Sequence, residues 1–298
     1  RKIGAAGLMA RIVKAQVLMV DLTPKVPRTD AIQSFVSQET PIVWLTDADG
    51  VTGTGYAYTI GTGGPAVVSL LRETLLPRLI GREAEEVEGI WRDLLFATHA
   101  TAVGAITSLA LAAIDTALWD LRCLRAGLPL WRMAGGAKPS VPLYSTEGGW
   151  LQIETDALVA DALAMQKKGF AGSKIKIGMP TLAADRARLK AVRDAVGDDY
   201  HILVDANQSF TLAEARRRAD MLAEFDIGWF EEPVSPEYYD QYAQLRSKTS
   251  IPIAGGECEY LRFGFQRLIN AKAEDIIQPD ICAPEGLTEA KSIGILAS

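Results

Sequence analysis

The sequence predicts an α+β domain followed by a (β/α) barrel, and three observations carry that reading. Strand-like and helical segments are segregated before Gly136, as in an α+β unit. After Pro139 short apolar strands alternate with amphipathic helices, which implies a parallel sheet. Three acidic residues close successive strands at equal spacing, which favours a closed barrel over an open doubly wound sheet. Residues 1–136 are read as the first domain and residues 137–298 as the barrel domain, with six strand segments.

Taken in order, Ile12 to Leu22 is rich in β-branched and apolar residues and reads as a strand. Ile42 to Thr59 reads as a hairpin, because Asp47-Ala48-Asp49-Gly50 is a turn between two strand-like runs. Gly64 to Leu79, Glu83 to Ala97 and Ala105 to Arg125 read as helices. The last stops at Gly127, with Pro129 just beyond. Barrel strands are expected at Val141–Tyr144, Gly172–Ile177, His201–Asp205, Gly228–Glu232, Ile251–Gly256 and Asp275–Asp280. Leu182–Val196 and Leu212–Phe225 are helices between them.

Composition narrows the function. A formal net charge of -6 argues against a nucleic-acid partner, which needs clustered Lys and Arg. No apolar run approaches the roughly 20 residues of a membrane span, so no membrane partner is expected. Cys123, Cys258 and Cys282 are odd in number and lack zinc spacing, which fits a reduced, cytoplasmic protein. The first residues lack a secretory pattern; Met9 is expected to be the native start, with residues 1–8 an appended remnant. The cluster Gly61-Thr62-Gly63-Gly64 lacks the GK[ST] of a phosphate loop, so nucleotide binding is rejected.

Asp205, Glu231 and Glu257 stand 26 residues apart, each ending an apolar strand. In a barrel such ends converge on one mouth, where three carboxylates repel unless a cation sits between them. An all-oxygen set without Cys or His selects a hard ion, Mg²⁺, with Mn²⁺ as an alternative. Lys174 and Lys176 alternate with Ile175, so both ammonium groups face one side of their strand. Each is expected to lower the other's pKa, which makes a lysine a base near neutral pH. Asn207 follows Asp205 by the same alternation and is expected to face the same mouth and the substrate.

On these residues the chain resembles the enolase superfamily and, within it, the mandelate racemase-like group. The motifs are Lys174-x-Lys176, Val204-Asp205-Ala206-Asn207-Gln208, Trp229-Phe230-Glu231-Glu232-Pro233, Gly255-Gly256-Glu257 and Gln278-Pro279-Asp280. The resemblance implies an α+β capping domain on a modified TIM-type barrel, assembled into homo-oligomers. It also implies that Asp205, Glu231 and Glu257 bind Mg²⁺, that Lys176 is the base, and that Lys174 tunes it and touches the substrate carboxylate. Asp280 matches an aspartate that pairs with a histidine base on the opposite face. No lysine occurs in the sixth strand segment, which sets the chain apart from muconate lactonizing enzymes. The chain contains only His99 and His201, neither at the position implied for that histidine. Two further strands are implied as well, so the barrel is expected to be incomplete at the C-terminus.

The implied chemistry is removal of the proton next to a carboxylate of a small-molecule acid, with Mg²⁺ stabilising the enediolate. Dehydration of an acid sugar or other 2-hydroxy acid to a 2-keto acid is preferred, with racemisation or epimerisation of a mandelate-like 2-hydroxy acid as the alternative. A cycloisomerase, an epimerase of N-acyl or dipeptide substrates, and a non-catalytic metal- or sugar-acid-binding scaffold complete the field. Substrate choice is expected in Thr23–Thr40, Gly61–Gly64 and Ser145–Trp150, with Lys25 and Arg28 reaching a distal carboxylate or hydroxyls. Cys258 is expected to be a packed neutral thiol, and Trp119 and Trp131 core or interface residues.

Overall fold

A computed structural model describes residues 10–25, 27–101, 104–283 and 286–298. The expected start at Met9 and the remnant at residues 1–8 lie outside the described residues. Strand β1 (Ile12–Asp21) opens the chain, followed by a two-stranded ribbon of β2 (Arg28–Thr29) and β3 (Ser34–Phe35). β4 (Glu39–Asp47) pairs antiparallel with both β1 and β5 (Thr52–Tyr56), giving the order β1-β4-β5. The Asp47–Gly50 turn forms as expected: Asp47 Oδ1 accepts from the backbone N–H groups of Asp49 and Val51, both at 2.9 Å.

Helix α1 (Gly64–Leu70) continues as a π turn (Leu71–Leu75) and a 3-10 turn (Leu76–Leu79). The single expected helix is broken there because Pro77 has no N–H for an α-helical ladder. α2 (Val87–Ala97), α3 (Ala105–Ala126) and the short α4 (Leu130–Met133) complete the first part. α3 ends at Gly127 in the left-handed conformation, φ 63°. It lies so close to β5 that a Cβ on Gly55 would stand 2.1 Å from the Ala113 carbonyl oxygen. Leu45, Leu71, Leu75, Ile90, Ile114 and Leu118 fill the core between sheet and helices.

The second part alternates β6 (Tyr144–Ser145), α5 (Thr155–Lys167), β7 (Gly172–Lys176), α6 (Leu182–Val196), β8 (His201–Asp205), α7 (Leu212–Leu222), β9 (Ile227–Glu231), α8 (Tyr239–Arg246), β10 (Ile253–Gly255), α9 (Leu261–Asn270), β11 (Ile276–Ile277) and α10 (Leu287–Ala297). The six strands are parallel and neighbours in sequence are neighbours in the sheet, with β6 and β11 at its edges. This is a curled half-barrel under an α+β cap, consistent with the capping domain and TIM-type barrel expected. Thr181 and Thr211 cap α6 and α7, each accepting from the backbone N–H three residues on, at 3.2 and 3.3 Å. Ile175, Ile202, Val204 and Phe230 pack beneath the helices as a second core.

Cap and half-barrel meet at Asp115, whose carboxylate accepts from the backbone N–H of Thr288 at 2.9 Å and from its hydroxyl at 2.5 Å. Trp119 Nε1 donates to that hydroxyl at 2.9 Å, so Trp119 is the interface residue expected. Trp131 departs from expectation: it is 41% exposed, with the Arg132 guanidinium over its ring. Among the described residues no helix is long and apolar enough to cross a membrane.

Candidate active site

Parallel register sets the site. Lys176 lies opposite Asp205, and Asp205 opposite Glu231, so one row crosses the C-terminal ends of three strands. Lys176 Nζ donates to Asp205 Oδ2 at 2.5 Å. Lys174 Nζ donates to Glu231 Oε1 at 2.6 Å and stands 3.0 Å from Asp205 Oδ2. A single ammonium thus touches both carboxylates, and Asp205 and Glu231 share one small volume. Trp229 Nε1 and Gln278 Nε2 hold the other Glu231 oxygen at 2.9 and 3.2 Å. Asp205 Oδ1 accepts from the Asn207 N–H at 2.9 Å, closing the turn after β8.

Burial favours a protonated Asp205, but the ammonium groups of Lys174 and Lys176 outweigh it and hold the carboxyl below its ordinary range. Glu231 is raised, first by burial and then by Asp205. Glu257, just beyond β10, is pushed up to about 7 by desolvation, then by Asp205 and Glu231. Lys174 corrects the expectation of mutual lowering. Burial pulls its pKa down, yet Asp205 and Glu231 win and leave it raised.

A mixed group of Glu232, Glu257 and Cys258 also gathers ligand atoms within 4.8 Å of one another. It suits a hard cation less well. Burial followed by Glu257 pushes Glu232 up to about 8, and burial followed by Glu232 pushes the Cys258 thiol up to about 12. Gln208 Nε2 contacts both at 3.0 to 3.2 Å, and Cys258 is the packed neutral thiol expected. Asp205, Glu231 and Glu257 offer oxygen alone, and the first two already hold cationic nitrogen between them. The Asn207 side chain is buried, with Oδ1 lacking a hydrogen-bond partner. This donor set fits Mg²⁺.

The remaining candidates are placed less centrally. Asp280 accepts from the Tyr58 hydroxyl at 2.9 Å and from the Cys282 N–H at 2.9 Å. Arg28 donates to both Glu147 oxygens at 3.1 Å and, with the exposed Lys25, lines a cleft of about 530 Å³ beside Trp150. His99 and His201 are exposed and outside the site. Sequence reasoning missed Tyr58 and Trp229 as site residues, although Trp229 lay within the motif around Glu231; Trp150 closes the segment Ser145–Trp150 expected to govern substrate choice, without a role of its own.

A capping α+β unit over a half-barrel whose strand ends carry Lys-x-Lys and three acids defines an enolase-type protein. Two family descriptions match: "Mandelate racemase / muconate lactonizing enzyme, N-terminal domain" over residues 13–135 and "Enolase C-terminal domain-like" over residues 157–298. The chain belongs to the mandelate racemase/muconate lactonizing enzyme family of the enolase superfamily.

It is 36% identical to a 3,6-anhydro-alpha-L-galactonate cycloisomerase of Streptomyces coelicolor, covering 86% of this chain and 70% of that protein. It is 33% identical to an L-talarate/galactarate dehydratase of Salmonella typhimurium, covering 86% of this chain but only 64% of that enzyme. A crystal structure of the Salmonella dehydratase liganded with Mg and L-lyxarohydroxamate superposes with a TM-score of 0.92 at 30% identity, covering 100% of this chain and 77% of that one.

Proposed function

We propose that this protein is a Mg²⁺-dependent acid-sugar dehydratase that removes the proton next to a carboxylate and yields a 2-keto acid. The observation that carries the reading is the row Lys176–Asp205–Glu231, with a buried and a part-buried ammonium group set on carboxylates at strand ends. Residues 137–298 supply the base and the metal ligands; residues 1–136, as the cap, supply walls around the substrate.

Asp205, Glu231 and Glu257 would hold the ion. Bound there, Mg²⁺ supplies positive charge against the substrate carboxylate as negative charge develops on it. Lys176 takes the α-proton, and Lys174 donates to the same carboxylate. Asp280, which accepts from Tyr58, would orient a proton-transfer partner on the opposite face. Asn207 lies in the turn beside Asp205, where its amide can meet a substrate hydroxyl. Arg28 and Lys25 supply charge for the distal end of a diacid.

Incubation with Mg²⁺ and galactarate in D₂O tests the proposal, with α-proton signals followed by NMR. Signal loss with a new 2-keto acid is the expected result, silenced by EDTA. Signal loss without a keto acid favours racemisation or cycloisomerisation, the latter being the named activity of the Streptomyces relative. Lys176→Met should lower exchange by roughly 10²–10⁴-fold with Mg²⁺ affinity retained. Unchanged turnover in that variant would remove the base assignment, whereas no exchange on any acid by the unmutated protein with Mg²⁺ bound would leave only a binding scaffold.

A further inference from the structure

We propose that Trp150 is a positioning residue for Lys176, its indole face holding the ammonium in line with Asp205. The proposal rests on the reading of Lys176 as the base. Lys176 Nζ stands 5.1 Å from the centroid of the Trp150 ring, inside the range of a cation–π contact. Lys176 is only 8% exposed, so little water screens that attraction. A lysine ammonium is a point charge on a flexible stem, and one contact to Asp205 fixes its distance without fixing its direction. The ring supplies the second constraint.

The ring itself is clamped. Phe35 meets it edge-on at 5.4 Å, and the Arg28 guanidinium lies 5.9 Å from its centroid. The Trp150 carbonyl accepts from Arg188 Nη2 at 3.2 Å. The next N–H, of Leu151, donates to the Thr29 carbonyl at 2.9 Å, and Gln152 Oε1 accepts from the Thr29 N–H at 2.9 Å. Gly149 lets this loop press on the strand that carries both lysines: a Cβ there would stand 2.0 Å from the Lys174 carbonyl oxygen.

Packing alone does not account for a tryptophan here. Its Nε1 is buried without a hydrogen-bond partner, a cost that a phenyl ring of similar shape would avoid. What indole offers beyond phenyl is the strongest cation-binding face among the aromatic side chains.

The test compares Trp150→Phe, Trp150→Leu and Lys176→Met in the full chain. The ¹⁵N-detected ammonium signal of Lys176, assigned by its loss in Lys176→Met, reads the contact without any substrate. In Trp150→Leu it should lose its ring-current shift and exchange faster with solvent. With Mg²⁺ and galactarate, kcat should fall about tenfold in Trp150→Leu and less in Trp150→Phe, with KM within about twofold, as expected when an orienting contact is lost. An ammonium signal unmoved in Trp150→Leu would overturn the proposal. So would unchanged kcat in both tryptophan variants while Lys176→Met is silent. Turnover surviving in Lys176→Met would remove the base assignment itself and the proposal with it, a failure that the tryptophan variants do not report.

Discussion

Tyr58 and Asp280 show how one hydroxyl from the cap joins the floor of the half-barrel. The phenol donates to a carboxylate, and hydrogen bonds to charged groups contribute about 1.5–3 kcal/mol. Tyr58→Phe should therefore lower kcat/KM by roughly tenfold or more while leaving Mg²⁺ affinity unchanged, read by steady-state kinetics and calorimetry. Such partners were not legible in the sequence. Asp205, Glu231 and Glu257 could be found because strand ends in a barrel recur at regular intervals, and Lys174-x-Lys176 because strand alternation puts both on one face. Tyr58 and Trp150 hold their places only through the way cap loops fold onto the half-barrel, and no periodicity records that.

At the scale of elements, the contact between α3 and β5 sets the thickness of the cap. Added Cβ atoms at Gly53 and Gly55 would stand 2.2 and 2.1 Å from the carbonyl oxygens of Ala117 and Ala113. Because the obstacle is helix backbone, no side chain can turn aside. Gly55→Ala should cost about 3 kcal/mol, measured as a lower urea midpoint of cap unfolding. Elements with clear local signals were read closely: His201–Asp205 and Leu182–Val196 form with the expected bounds. The sheet edges depart most from expectation. Val141–Tyr144 became Tyr144–Ser145, and Asp275–Asp280 shortened to Ile276–Ile277, because an edge strand pairs on one side only and ladder bonds define its length. The long first helix failed for a different reason, Pro77, whose effect on a helix interior outweighs the apolar periodicity around it.

For the whole molecule, the buried seam at Asp115 couples cap to half-barrel and should make stability depend on pH. Burial raises this carboxyl from 3.8 to about 6, against the hydrogen bonds from Thr288 that act to lower it. Its folded-state pKa lies above its unfolded value, so the folded protein binds the proton more tightly. The contribution of Asp115 therefore favours the fold below about 4 and is lost as pH rises through about 6. Denaturant titrations at pH 5 and pH 7 should show this slope, and Asp115→Asn should flatten it; an equal slope in that variant would place the dependence elsewhere.

The row of lysines and acids also dictates an order of events. Two ammonium groups face three carboxyl groups, so the floor without a divalent ion is neutral when Glu257 alone carries a proton and negative with all three ionised. An anionic sugar acid gains no net attraction there until the sign of the floor is reversed. Binding should consequently be ordered, cation before acid: equilibrium dialysis should find galactarate retained with Mg²⁺ and free without it, and initial rates should vanish at low Mg²⁺ however much acid is supplied.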